Sequence, residues 1–311
     1  MNIEFDSYKQ KLNEIKPTLD DLAASLNLDG LRNELERLHA MQEAPGFWDD
    51  PEKSQKIVMK TKQAESKIER YEKMVATWED MMTICEMAAE EDDDSMLPEL
   101  KESFQILSSE MEACRLETLL TGKYDKNNAI MSFQAGAGGT EAQDWCQMLY
   151  RMYTRWAERH GFEYKIMDYQ EGDEAGLKSA SIMIEGENAY GFLKGENGVH
   201  RLVRVSPFDA NARRQTSFSA IEVIPEIEDD SEDFEIRERE HLANIADIKG
   251  VQQKIEWGSQ IRNYVFMPYT LVKDTRTGCE TSNVNGVMDG ALDPFIESYL
   301  NCLATGNWVQ K

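Results

Sequence analysis

A chain of 311 residues with a formal net charge of -24 and 41% apolar content has room for about two domains, each with a real core. The acidity excludes a protein that coats nucleic acid by bulk charge, but it leaves room for recognition through a local basic strip. No apolar run approaches the ~20 residues of a membrane helix, and five scattered cysteines without CxxC spacing argue for reduced thiols.

The N-terminus, MNIEFDSYKQ, reads as neither a signal nor a transit peptide, so a cytoplasmic protein with no membrane association is expected. The four histidines are dispersed, so neither a metal site nor a cofactor is expected.

Residues 1 to about 120 read as helices, and they hold much of the excess acid. Helices are expected around Leu19–Leu26 and Leu31–Met41. Asp50 is a good N-cap, Pro51 suits the first helical position, and Glu52 suits the helix dipole. From there Ile57, Ala64, Ile68, Tyr71, Val75, Trp78, Met82 and Cys85 recur at alternating steps of three and four, a heptad seam broken only at Thr61. After the acidic stretch EEDDDSMLP, Pro98 can open another helix. There Leu97, Leu100, Phe104, Leu107, Met111 and Cys114 repeat the spacing. Two seams joined by a short turn predict an antiparallel helical hairpin with the earlier helices packed on it. Such a bundle can be purely structural or an arm that docks on a partner.

Past Lys123 the pattern changes. AIMSFQA (Ala129–Ala135) reads as a strand. Gly136-Ala137-Gly138-Gly139 then leads into a helix whose apolar face is Trp145, Leu149, Met152 and Trp156. Glycines ahead of a helix start leave backbone N–H groups free for phosphate or base contacts, although the GxGxxG and Walker A spacings are absent. EYKIMDY, LKSASIMIEG and Gln215–Ile227 alternate like strands of a half-exposed antiparallel sheet.

Between them lies Arg201–Ala220, RLVRVSPFDANARRQTSFSA, with Arg201, Arg204, Arg213 and Arg214 against one acid, Asp209. It is expected to be an exposed loop at one end of the sheet. Ser206-Pro207-Phe208 sets a hydroxyl and a ring on either side of a proline that fixes the backbone. That combination, rimmed by arginines, suits the reading of exposed RNA bases. His200 has no catalytic partner and reads as structural or RNA-proximal. Glu226–His241 is nearly all charge and reads as a solvated linker or charged helix. A short segment at Ala243–Val251, then Ile255–Phe266, loops with short strands at Thr270–Val284, a closing helix at Gly290–Asn301 and a mobile tail complete the chain.

Several of these stretches together resemble the bacterial class-I peptide chain release factors, specifically the release factor 2 family that reads UGA and UAA. They are QAGAGGTEAQDW (Gln134–Trp145), AYGFL with GVHRLVRVSPFD (Ala189–Asp209), RRQTSFSA (Arg213–Ala220), WGSQIRNYV (Trp257–Val265) and VMDGALDPFIESYL. The resemblance covers the chain from about residue 125 onward. It implies that Ser206-Pro207-Phe208 discriminates the second base of the stop codon. Backbone near Gly138 and Glu141 would test the first-position uridine, Thr216 would contact the third base, and Trp257 would lie near a hinge. The implied partners are the ribosome at its decoding centre and the mRNA stop codon, with a further termination factor also possible as a partner.

Two departures from the family qualify that picture. Its Gly-Gly-Gln motif, carried on a third domain that enters the peptidyl transferase centre, occurs nowhere in this sequence. Where a domain of ~100 residues would sit, between Asp230 and Trp257, there is only a charged stretch and a short helix. Gln215 stands where the family usually has a histidine stacked on the codon, and a lost stack is worth ~1–3 kcal/mol per base.

The expected fold is therefore α+β: a helical domain (1–120), a codon-recognition domain (121–228), a charged linker replacing the hydrolytic domain (229–254), and a C-terminal segment (255–311) that packs back on the sheet. Arg213 and Arg214 are expected to meet phosphates, and Ser206, Phe208 and Thr216 to face bases. The function expected is stop-codon recognition at the ribosomal A site without peptidyl-tRNA hydrolysis, modulating termination. The alternative is an mRNA-binding or mRNA-stabilising protein using the same loop off the ribosome.

Overall fold

The computed structural model describes residues 3–91, 95–227 and 260–309. The chain divides into two compact units, Met1–Thr118 and Leu119–Lys311.

The first unit is all helix: α1 (Ile3–Ser25), α2 (Leu28–Gln42), α3 (Pro51–Glu91) and α4 (Leu97–Thr118). α1 begins sixteen residues earlier than the sequence reading placed it, because Phe5, Leu12 and Leu19 form a seven-residue repeat that buries all three. Asp50 caps α3 through its Oδ1, which accepts the Lys53 N–H at 3.2 Å. Ion pairs Lys9–Glu86, Arg32–Glu72 and Arg70–Glu117 run α1, α2 and α4 antiparallel to the 41-residue α3.

The α3 seam holds, with one shift. Met74 and Met81 are buried, whereas Val75, Trp78 and Met82 are only half-buried. A 3.6-residue helix drifts against a 3.5-residue repeat, so the stripe slides by one position along three turns. Thr61 does not interrupt it. Buried, it donates to Ile57 O (3.0 Å) and accepts from Gln42 Nε2 (2.6 Å), so its hydroxyl is satisfied inside the bundle.

The second unit is an eight-stranded sheet in the order β2-β3-β1-β5-β4-β6-β7-β8. Its strands are β1 (Ala129–Ala135), β2 (Glu163–Glu171), β3 (Leu177–Glu185), β4 (Gly198–Val205), β5 (Arg214–Pro225), β6 (Gln260–Val265), β7 (Leu271–Asp274) and β8 (Glu280–Thr281). Every pairing is antiparallel except β4 with β6.

Helix α5 (Thr140–Arg159) lies on β1, β3 and β5, burying Trp145, Leu149, Met152 and Trp156. Shorter helices α6 (Ala189–Leu193) and α7 (Val284–Met288) and the closing helix α8 (Asp293–Thr305) complete the unit. The tail is not loose. Trp308 meets Tyr299 edge-on at 5.5 Å, and Val309 N–H donates to Arg276 O at 3.0 Å.

Twelve of the twenty residues of the basic strip are strand; Gln215–Ala220 was expected to be, and the correction to the expected loop falls on Arg201–Val205. Arg201–Val205 lies in β4 and Arg214–Ala220 in β5, with Arg204 opposite Gln215 and Val205 opposite Arg214. In β4, Val199 with His200 and Leu202 with Val203 are buried in consecutive pairs. Neighbouring strand residues point to opposite faces, so this strand is covered on both sides and shows no alternation in its sequence.

The charged stretch Glu226–His241 beyond its first two residues, the segment Ala243–Val251 and Trp257 lie outside the described residues.

Candidate nucleic-acid interface

The strands converge at one end of the sheet. β1 ends there at Ala135, β4 at Val205 and β6 at Val265, and β5 starts there at Arg214. Three features of the sequence reading therefore meet at this end: the glycine turn before α5, the Ser206-Pro207-Phe208 turn, and the start of β5.

The loop from Ser206 to Arg213 is closed at its base by Ser206 N–H donating to Arg213 O at 3.3 Å. Inside it, Asp209 is the organiser. Its Oδ1 accepts the Asn211 N–H at 3.0 Å, an Asx turn, and its Oδ2 accepts from Arg213 Nε at 2.8 Å and from Gln215 Nε2 at 3.4 Å. Its carbonyl also accepts the Ala212 N–H, which holds Ala212 in the left-handed region (φ 49°). The Arg213 hydrogen bond, together with the Asn211 N–H, holds the Asp209 carboxyl down at about 2. The single acid of the basic strip is the residue that shapes the loop. The Asp-x-Asn spacing was the available signal.

Ser206 is buried. Its hydroxyl donates to Glu141 Oε2 at 2.6 Å and accepts the Phe208 N–H at 3.2 Å. Phe208, two residues on, is 47% exposed. The proline turn thus fixes the hydroxyl inward and throws the ring outward.

Glu141 sits in the first turn of α5 because the glycines before it permit a backbone that side chains would block. Gly138 has φ +139°, and a Cβ there would come within 2.7 Å of Ser217 Oγ. Gly136 N–H donates to Phe218 O and Phe218 N–H to Ala137 O, so the turn stays stitched to β5.

Arg204 is turned inward rather than placed at an RNA-facing rim. Its Nε donates to Glu141 Oε1 at 2.5 Å and its Nη2 to Asp144, with little of the guanidinium exposed. Burial pulls the Arg204 pKa down, and the two carboxylates more than offset this, raising it. The sequence reading missed Asp144, although Glu141 and Asp144 stand three apart on one helix face, the spacing at which two acids can clasp one arginine. Arg201 is half-buried in β4 opposite Phe218. Arg213 is the exposed cation, its side chain 69% accessible even with Asp209 beside it, and Arg214 is exposed at the start of β5. Thr216 is half-buried opposite Val203, Gln215 is tied to Asp209, and Pro207 is exposed.

A second charged cluster lies deep in the same unit. Arg262 on β6 is fully buried, with Nη1 and Nη2 donating to Glu196 Oε2 and Oε1 at 2.6 and 2.7 Å, and Nη2 also to Asp274 Oδ2 at 3.2 Å. Its guanidinium lies 4.3 Å over the Phe295 ring of α8. Burial pushes the Glu196 carboxyl up, but the facing Arg262 outweighs it and the net direction is down.

His200 is fully buried beside this cluster, and desolvation with the Arg262 charge lowers it to about 4. Its Nε2–H donates to Glu196 O at 3.2 Å, and its Nδ1 accepts from Tyr264 Oη at 3.2 Å. Both ring nitrogens are used, so His200 is structural. Among the described residues no cluster of His, Cys, Asp and Glu is arranged to hold a metal ion, and no helix is long and apolar enough to cross a membrane.

Comparison with known proteins fits this arrangement. Residues 31–221 match the PCRF domain. The chain is 37% identical to peptide chain release factor 2 of Clostridium perfringens over 364 residues, covering 97% of this chain and all of the relative. The chain belongs to the peptide chain release factor 2 family. It is 39% identical to peptide chain release factor 2 of Lactiplantibacillus plantarum, covering 96% of each chain. The structure of release factor 2 of Thermus thermophilus superposes with a TM-score of 0.56 at 30% identity, covering 93% of this chain and all of that one. The alignment with the Clostridium relative is longer than the 311 residues of this chain, so that relative carries residues with no counterpart here. Among release factor 2 proteins, this member is the shorter one in that pairing.

Proposed function

We propose that this release factor 2 family member binds the ribosomal A site and recognises a stop codon, UGA, UAA or a related signal, without hydrolysing peptidyl-tRNA. The observation that carries the reading is the pairing of a fully assembled turn with a missing motif. Ser206 and Phe208 are set by Glu141 and Asp209 into one hydrogen-bonded loop, while Gly-Gly-Gln is absent from the sequence.

The loop offers an exposed ring for stacking and arginines at the margin for phosphates, whereas the Ser206 hydroxyl, expected to face a base, is turned inward and holds the turn through Glu141. Hydrolysis needs a water placed at the ester some distance from the codon, the role the resemblance gives to Gly-Gly-Gln, which the sequence lacks. A protein of this kind occupies the A site and delays or redirects termination, alone or with a further termination factor. Gln215, whose amide donates to Asp209 at 3.4 Å, stands in place of a stacking ring, so codon preference there is either relaxed or retuned.

Toeprinting of ribosomes stalled at UGA, UAA, UAG and a sense codon tests this. Codon-dependent protection, with peptide release no faster than in buffer, is the expected result. Protection that is absent, or equal at all four codons, would sink it. Crosslinking to specific transcripts away from ribosomes would instead favour mRNA binding.

A further inference from the structure

The reading loop has a neighbour that base recognition leaves unused. β6 runs parallel to β4, with Val203 opposite Val265, and Phe266 N–H donates to Val203 O at 2.8 Å. The two strands therefore leave the sheet at the same end, about 5 Å apart, the first into Ser206-Pro207-Phe208 and the second into the turn Phe266–Thr270. Val265 pairs with Leu271 across that turn, so it is a tight hairpin.

Its two large apolar side chains stand in solvent, Met267 at 51% and Tyr269 at 60% exposure, and Phe208 in the loop that follows β4 is 47% exposed. A turn that needed only to reverse the chain would be expected to carry small polar residues there. Charge points the same way. In a chain with 58 acidic residues, none falls between Arg262 and Lys273, and the adjacent loop presents Arg213 and Arg214.

We propose that the Met267-Pro268-Tyr269 turn is a second RNA contact, in which the Tyr269 ring stacks on an unpaired base of the small-subunit ribosomal RNA that borders the codon. The inference rests on the A-site reading above. The occupant follows from position. The groups placed to meet the codon come from the end of β1, the β4–β5 loop and the start of β5, all on one side of β4 or at its tip. β6 lies on the other side, so its turn faces what flanks the codon. An acid-free aromatic turn, next to a loop that carries Arg213, paired with Asp209, and leads into Arg214, suits a stacked base and a phosphate backbone.

The division of labour that results is testable: Phe208 discriminates codons, whereas Tyr269 adds affinity that no codon alters. Equilibrium binding of the full chain to ribosomes with UGA, UAA or a sense codon in the A site reads both. Tyr269→Ala is expected to weaken binding about tenfold and equally at each codon, while Tyr269→Phe, which keeps the ring, binds as the parent does. Tyr269→p-benzoylphenylalanine is expected to crosslink to small-subunit RNA.

Unchanged binding by Tyr269→Ala, a loss confined to one codon, or crosslinks only to mRNA or ribosomal protein would each overturn the inference while leaving the A-site reading intact. Failure of the parent chain to bind stop-codon ribosomes at all would overturn both.

Discussion

Among its described residues the sheet unit holds two arginines, each clasped by two carboxylates, and they do different work. Arg262 is sealed among Glu196, Asp274 and the Phe295 ring with no access to water. Arg204 is held by Glu141 and Asp144 at the edge of the reading loop, and Glu141 also accepts the Ser206 hydroxyl. The first cluster ties β6, β7 and α8, which follow the stretch between β5 and β6, back to residues that precede it. The second sets the orientation of the loop proposed to read the codon. Identical chemistry therefore serves stability where it is dry and site geometry where one partner is shared with a functional hydroxyl.

Breaking the dry cluster should have the largest effect. Arg262→Met leaves the Glu196 carboxylate buried without its cation, and loss of one partner of a buried pair costs about 3–5 kcal/mol. Urea denaturation should show that loss. A change below about 1 kcal/mol would mean the cluster is not the anchor of the returning strands.

Next in size is the pH response of the same region. His200 is depressed to about 4 in the fold against an ordinary value near 6.5. The unfolded chain therefore binds the extra proton between those values. Stability is complete above about pH 6.5 and falls as pH drops toward 4, by up to about 3 kcal/mol. His200→Gln should flatten the stability profile across that window, and an unaltered slope would remove His200 as its source.

At the wetter cluster, Glu141→Ala removes the acceptor of both Arg204 Nε and Ser206 Oγ. Its expected cost is about 2 kcal/mol in stability, together with a loss of codon preference that exceeds the loss of general RNA affinity. Equal losses would mean the carboxylate only holds the fold. The smallest structural effect is expected at Phe208. Half-exposed, it should alter stability by no more than about 0.5 kcal/mol on conversion to alanine. Codon-dependent binding should nevertheless drop about tenfold, read by competition on stop-codon ribosomes.

Much of this architecture was legible in the sequence wherever one face of an element is buried. Ala129–Ala135 and the α5 face of Trp145, Leu149, Met152 and Trp156 show their periods openly. The strand β4 did not, because it is buried on both faces, and its arginines suggested a loop. Arg204 misled for the same reason: a cation in a basic strip looks solvent-facing until the helix carrying Glu141 and Asp144 is folded over it. Asp209 stood out in the sequence only as the single acid among four arginines, whereas hydrogen bonding makes it the centre of the loop. The two partly exposed rings, Phe208 and Tyr269, differ in visibility. The first sits in a recognisable tripeptide, and the second became notable only when parallel pairing of β4 and β6 placed it alongside.

The proposed function is recognition of the stop codon without hydrolysis of peptidyl-tRNA. It is tested most directly by the rate of peptide release that a Gly-Gly-Gln-bearing release factor achieves on UGA-programmed ribosomes as this chain is added. The account predicts a rate that falls toward the uncatalysed level in proportion to A-site occupancy. A rate that stays constant, or rises because the chain itself releases peptide, would contradict it.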